Sequence, residues 1–183
     1  MATATGVMTI ADFESLPDDA ARNKELVNGE LVEVPGNYPE HAFLRDDLLV
    51  AMTPPVRRSG GRITTELLFD FDGESRAPDL AYIGPGKLPA VETRRIQQFV
   101  PDLAVEIAGE YDGFQDLFAK ARHYLRCGTL EVWLISIRSR ELIRLTAAGG
   151  EILEDSAEVR TALLPEFSFR LGELIDAGAT PRP

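Results

Sequence analysis

An α/β domain with a mixed sheet is the fold class this sequence predicts, on three observations. A nearly continuous apolar run, Phe99–Ala108, leads into the helical stretch Phe114–Arg126 and then a second apolar run, Leu130–Ile137. That succession reads as a β-α-β unit in a sheet centre. Asn28-Gly29 stands between Lys24–Val27 and Glu30–Val34, and both turn residues accept the positive φ of a tight hairpin. Short β-rich segments lie between a leading helix and the β-α-β unit, so antiparallel and parallel pairing are expected together.

Each element has a local cause. Thr9 with Asp12 forms an N-cap pattern for a short helix through Leu16, closed by Pro17. Pro35-Gly36 ends the hairpin, and Pro39 sits where a first helical turn accepts proline. A helix is expected from Pro39 to Met52, with Phe43, Leu44, Leu48 and Val50 as apolar surface and Thr53-Pro54-Pro55 as its stop. Ser59-Gly60-Gly61 turns the chain, Ile63–Phe71 has the β-branched and aromatic content of one or two strands, and Asp72-Gly73 turns it again. Pro78–Ile83 is a strand, followed by the Gly84-Pro85-Gly86 loop and a polar stretch to Gln98. Gly109–Gly113 is a loop, and Gly128 closes the helix that follows it. Glu141–Leu145 is a strand, Gly149-Gly150 bends towards weaker strands, and Leu171–Ile175 is a terminal helical turn. Residues 1–183 are expected to form a single domain, with 1–8 and 177–183 as flexible tails.

Composition bounds the function classes. A chain of 183 residues, 44% apolar and 27% charged, has the makeup of one globular domain. No apolar run approaches the roughly 20 residues needed to cross a bilayer, and the N-terminus lacks a secretory layout, so no membrane association is expected. The lone Cys127 fits a cytoplasmic location and reads as a small apolar residue near a helix end. Nineteen basic against thirty acidic residues give a net charge of -11, the wrong sign for gripping nucleic acid over a broad face. Basic residues gather at Arg57, Arg58 and Arg62 and at Arg94 and Arg95; these are the candidate phosphate contacts, with solvated loop charge as the plain alternative.

Two carboxylates and one ammonium carry the chemistry. Alternation along the strand puts Leu103, Val105 and Ile107 on one face and Asp102, Ala104 and Glu106 on the other. A carboxylate in so apolar a strand must be paired, protonated or bound to a metal. The strand alone leaves open a salt bridge with an arginine and a role as metal ligand. Asp79 follows Pro78 at a strand end, where a turn-forming role is the ordinary one. Lys120 borders the apolar stripe of its helix; Asp116 is its local partner, and truncating it is expected to remove little packed surface. A helix folding back over the strand would bring Lys120 towards Glu106. His41 could reach the same pocket from the helix after the hairpin, although a histidine near a helix start is commonly a boundary residue. His123 is placed on the solvated flank and Trp133 in the core.

Over roughly Lys24–Asp176 the chain resembles the Uma family of bacterial restriction endonuclease-like domains, members of the PD-(D/E)XK nuclease superfamily. The resemblance rests on Glu25-Leu26-Val27-Asn28-Gly29-Glu30-Leu31, Pro39-Glu40-His41, Arg76-Ala77-Pro78-Asp79-Leu80-Ala81-Tyr82-Ile83 and Pro101-Asp102-Leu103-Ala104-Val105-Glu106-Ile107. It continues through Lys120 with Tyr124, Gly128-Thr129-Leu130-Glu131-Val132-Trp133-Leu134 and Leu163-Leu164-Pro165-Glu166-Phe167. The resemblance implies a restriction endonuclease-like core: a central mixed sheet flanked by helices, preceded by an N-terminal helix and hairpin. It implies Asp79 and Glu106 as metal ligands, Lys120 as the catalytic cation moved from the strand to the next helix, and Glu25 completing the acidic cluster. Ala108-Gly109-Glu110-Tyr111 departs from the family's usual turn.

The expected function is therefore hydrolysis of DNA phosphodiester bonds. Mg²⁺, with Mn²⁺ as its substitute, would bind Asp79, Glu106 and the Ile107 carbonyl, and Lys120 would orient the nucleophile. The rival is a decayed site in a DNA-binding or assembly module. Acid/base carbohydrate chemistry is a distant third, since a sugar cleft calls for aromatic lining and only 8% of the chain is aromatic. Cutting both strands of a duplex needs two symmetric sites, so a homodimer is expected, with the apolar strands near Trp133–Leu145 as interface.

Overall fold

The structure, a computed structural model, describes residues 7–34, 36, 38–109 and 113–179. Thr9 and Asp12 form a reciprocal capping box that opens helix α1 (Ile10–Glu14), and Phe13 on its inner face is buried. A short turn of helix, α2 (Asp18–Ala21), leads into the hairpin of β1 (Lys24–Val27) and β2 (Glu30–Glu33). Its turn has Asn28 at φ 51° and Gly29 at φ 76°, the conformation Asn-Gly favours. Met8 N–H donates to the Gly29 carbonyl at 3.0 Å, and a Cβ on Gly29 would run into Val7 Cγ1. Residues 7 and 8, expected in a flexible tail, are thus tied to the hairpin; residues 1–6 of that tail, and Pro35 at the hairpin's end, lie outside the described residues.

Helix α3 runs Pro39–Arg58, six residues past the expected end at Met52, with Pro54 and Pro55 inside it. The prolines remove two amide donors, which would ordinarily stop a helix. Here Met52, Pro55 and Val56 are buried against the sheet, so tertiary packing holds the last turns helical. Thr53 Oγ1 also donates to the Leu49 carbonyl at 2.7 Å, a back-bond inside the same turn.

The Ile63–Phe71 segment divides into β3 (Arg62–Thr64) and β4 (Leu68–Phe71), which enter different sheets. Asp72 and Gly73, at φ 56° and 89°, turn the chain into β5 (Glu74–Arg76). Strand β6 (Leu80–Ile83) is buried throughout, and β7 (Ile96–Gln97) follows. Strand β8 (Leu103–Ala108) begins four residues later than expected, because Pro101 has no amide and the Asp102 side chain turns to Gly84 N–H and Lys87. Helix α4 (Phe114–Arg126) matches its expected bounds, with Gly128 at φ 105° beyond its end. The loop before it lies partly outside the described residues, and with it the Glu110-Tyr111 half of the departure from the family's turn.

Strand β9 (Glu131–Ser136) completes the β-α-β unit, parallel to β8, with Glu106 opposite Leu134. Strands β10 (Glu141–Thr146) and β11 (Gly149–Glu154) extend the sheet antiparallel. A small ladder of β12 (Glu158–Arg160) and β13 (Ser168–Arg170) precedes α5 (Leu171–Ala179). That helix is longer than the expected turn, so residues 177–179 are helical and the rest of the expected tail lies outside the described residues.

The main sheet has the order β11-β10-β9-β8-β6-β3, and a second sheet has the order β2-β1-β5-β4-β7. This is the mixed α/β architecture that the sequence predicts. Leu103, Val105 and Ile107 pack with Leu44, Leu48 and Met52 of α3, while Ala104 packs with Ala121 and Tyr124 of α4. The strand faces are those expected from alternation. Strands β9 and β10, expected to supply a two-fold interface, lie inside the sheet; Trp133 and Leu142 are fully buried there, while Ile143 and Arg144 of β10 stay half-buried. Among the described residues no helix is long and apolar enough to cross a membrane.

Candidate active site

Strand β8 brings Glu106 to the floor of an open cleft of about 610 Å³. The side chain is 6% exposed, where a carboxylate needs every donor it can find. Helix α4 crosses above it, and residues 120 and 124, one turn apart, point to the same place. Lys120 Nζ stands 2.9 Å from each Glu106 oxygen, and Tyr124 Oη donates to Glu106 Oε1 at 2.8 Å. Of the two alternatives open in the sequence, a salt bridge with arginine is overturned: the partner is Lys120. The lysine reaches into the cleft instead of along its helix to Asp116.

Glu25 comes from the hairpin sheet. Its Oε1 accepts the Ala77 N–H at 2.9 Å and lies 3.8 Å from Lys120 Nζ, and its Oε2 lies 3.9 Å from Arg76. Arg76 is clamped in turn by Glu74 at 2.8 Å. Asp79, one residue before β6, accepts the Ile107 N–H at Oδ2, 2.7 Å away. His41 Nε2, from the first turn of α3, lies 3.2 Å from that oxygen and 3.1 Å from the Ile107 carbonyl. Both neighbours are acceptors, so Nε2 is assigned the proton. His41 Nδ1 is buried with no partner among the described residues.

Burial pushes Glu106 up to about 7, against the pull of Lys120 and with added repulsion from Asp79 and Glu25. Burial by itself would lower Lys120, but Glu106 and Glu25 outweigh it and raise the ammonium above its ordinary value. Burial, followed by the Glu106 charge, raises the Tyr124 phenol well above 10, so it stays a donor. His41 is raised too: burial opposes the charge, and the hydrogen bond and charge of Asp79 prevail.

The donor set fits a hard divalent cation in kind: carboxylates of Asp79 and Glu106 and the carbonyl of Ile107. Among the described residues no three or more His, Cys, Asp or Glu side chains are gathered as a ready-made metal cluster. The positive charge facing Glu106 is that of Lys120.

None of the five arginines singled out in the sequence lines this cleft. Arg94 pairs with Glu92 and lies 3.8 Å from Glu14 of α1, and Arg95 donates to the carbonyls of Phe13 and Leu16 and to Asp18. The expected phosphate contacts at 94 and 95 are therefore fasteners for the N-terminal helices. Arg58 pairs with Glu166, Arg62 donates to the Gly61 carbonyl, and Arg57 lies exposed in the last turn of α3. The cleft has its own arginines, Arg76 and Arg126, which sequence reasoning did not single out as phosphate contacts. His123, expected to be solvated, lines the cleft with Nε2 3.0 Å from the Phe71 carbonyl. Its spacing of three from Lys120 was the available signal. Trp133 is core as expected, and its Nε1 donates to Glu131 Oε1 at 2.6 Å.

The sequence matches, over residues 10–172, the family described as "Uma2: Putative restriction endonuclease". No curated protein matches it. Among solved structures, the fold is similar to one titled a "putative nuclease belonging to DUF820" from Anabaena variabilis. The TM-score is 0.82 over 93% of this chain and 99% of that one, at 21% identity, a likeness of fold.

Proposed function

The chain belongs to the Uma2 family, and from that membership and the cleft geometry we propose that it is a Mg²⁺-dependent endodeoxyribonuclease, with Mn²⁺ able to replace Mg²⁺. The observation that carries this reading is the buried Glu106 carboxylate, faced by Lys120 at 2.9 Å, in a cleft open to solvent. A structural ion pair has no need of such access, whereas a scissile phosphate does. Asp79, Glu106 and the Ile107 carbonyl would hold the cation, which when bound would activate a water and neutralise phosphate charge.

The chain's own residues do the rest. Glu25 and Glu106 keep Lys120 charged, so its ammonium can orient the attacking water or meet charge developing on the phosphate. His41 ties the Asp79 carboxylate to the Ile107 carbonyl, which keeps two of the oxygen donors adjacent. Among the described residues, Glu25, Glu33, Glu74, Asp79, Glu106 and Asp116 line the cleft against Arg76, Lys120 and Arg126 as permanent cations. Without an added cation this surface repels a phosphate backbone, which favours an enzyme over a DNA-holding module with a decayed site.

The test is cleavage of plasmid and single-stranded DNA with and without Mg²⁺, wild type against Glu106→Gln. Metal-dependent cutting by the wild type, lost in the amide variant, is the expected result. Equal cutting by both proteins overturns the assignment.

A further inference from the structure

Among the described residues two groups hold Glu106 in the cleft, and only Lys120 has a role in the function proposed above. The other is Tyr124. Its ring is fully buried and stacks on Phe71, with centroids 4.1 Å apart and planes inclined by 19°. Its hydroxyl reaches Glu106 Oε1 at 2.8 Å. Packing alone would be served by phenylalanine, and a buried hydroxyl persists only where it is satisfied. Lys120 Nζ stands equally close to both oxygens, so it does not distinguish them. Tyr124 does: it occupies Oε1 and, among the described residues, leaves Oε2 with one donor fewer.

We infer that Tyr124 is a positioning residue that fixes the Glu106 carboxylate so that Oε2 is the oxygen presented to a divalent cation, an inference that rests on the nuclease reading. Helix α4 carries the phenol, whose ring is fully buried, and strand β8 holds the glutamate backbone. The carboxylate, clamped between Tyr124 and Lys120, therefore has little freedom to swing when Lys120 gives way to a cation. Partners that orient metal-binding groups in this manner are typically worth about 10–100-fold in metal affinity or activity.

The test compares full-length wild type, Tyr124→Phe, Phe71→Leu and Glu106→Gln by calorimetric titration of the metal-free proteins with Mn²⁺, alongside plasmid cleavage. In Tyr124→Phe, Mn²⁺ binding should weaken by about tenfold or more. Its kcat should fall while KM for DNA stays unchanged, because the hydroxyl acts through Glu106 and touches no substrate. Adding Tyr124→Phe to Glu106→Gln should weaken Mn²⁺ binding no further. Phe71→Leu removes the stacking partner but keeps the hydroxyl; it should bind Mn²⁺ within about twofold of wild type, well short of the loss expected from an orienting partner. Wild-type Mn²⁺ affinity and kcat in Tyr124→Phe overturn the inference and leave the nuclease reading standing. If Tyr124→Phe does not fold, a tenfold loss of affinity in Phe71→Leu overturns it, since packing would then be the whole effect. A wild-type protein that neither binds Mn²⁺ nor cuts DNA overturns both.

Discussion

Replacing Glu106 by glutamine removes a buried group whose proton is held far more tightly in the folded protein than in the unfolded chain. The ordinary glutamate value is 4.5 and the folded value is about 7. Below 4.5 both states carry the proton and the folded state has its full stability. As pH rises through the window to about 7, the unfolded chain releases the proton first, and stability falls. Above that window both states are ionised and the effect is flat. The gap from 4.5 to about 7, at about 1.4 kcal/mol per unit, amounts to about 3 kcal/mol. Glutamine cannot ionise, so the stability of Glu106→Gln relative to wild type should rise by most of that amount between about pH 5 and about pH 8. Titrating groups away from Glu106 are common to both proteins and cancel in the difference, provided a chelator keeps divalent cations out. In wild type Lys120 is raised above its ordinary value and titrates beyond this range; without Glu106 only Glu25 opposes the burial that lowers it, and any such lowering makes the variant gain stability with pH in the same direction. Urea unfolding of both proteins at several pH values measures the difference directly. A difference constant to within about 1 kcal/mol over that range would refute the argument that burial leaves Glu106 with an elevated pKa.

Lys120→Ala is expected to abolish cleavage and also to cost about 3–5 kcal/mol where Glu106 is ionised, the usual penalty for breaking a buried pair, and less near pH 5. That penalty, measured by urea unfolding at both pH values, replaces the small loss expected from the sequence, where Lys120 sits only at the edge of an apolar stripe. Arg95→Ala should lose about 2 kcal/mol, because its guanidinium holds the carbonyls of Phe13 and Leu16 at 2.7 and 2.9 Å. The salt dependence of DNA binding should not change in that variant; a shallower slope would restore Arg95 as a phosphate contact.

Local chemistry alone determined much of this protein. The Asn28-Gly29 hairpin, the capping box at Thr9 and the β-α-β unit follow from turn residues and from periods of two and 3.6 residues. Alternation alone also separated Glu106 from Leu103, Val105 and Ile107, and a helix folding back over its strand brings Lys120 to it. Other features belonged to tertiary structure. Pro54 and Pro55 carry a local stop signal, which is overridden because the helix beyond them buries Val56 against a sheet assembled from elsewhere in the chain. Arg94 and Arg95 look like free surface charge until α1 and α2 present their carbonyls and carboxylates to them. The hydroxyl of Tyr124 and the carboxylate of Glu25 meet Lys120 and Glu106 only because α4 and β1 are docked over β8. Turn and period are properties of neighbouring residues and can be read from their order. Which donor satisfies a buried charge depends on groups brought together from distant parts of the chain, and that pairing is decided only when the core closes.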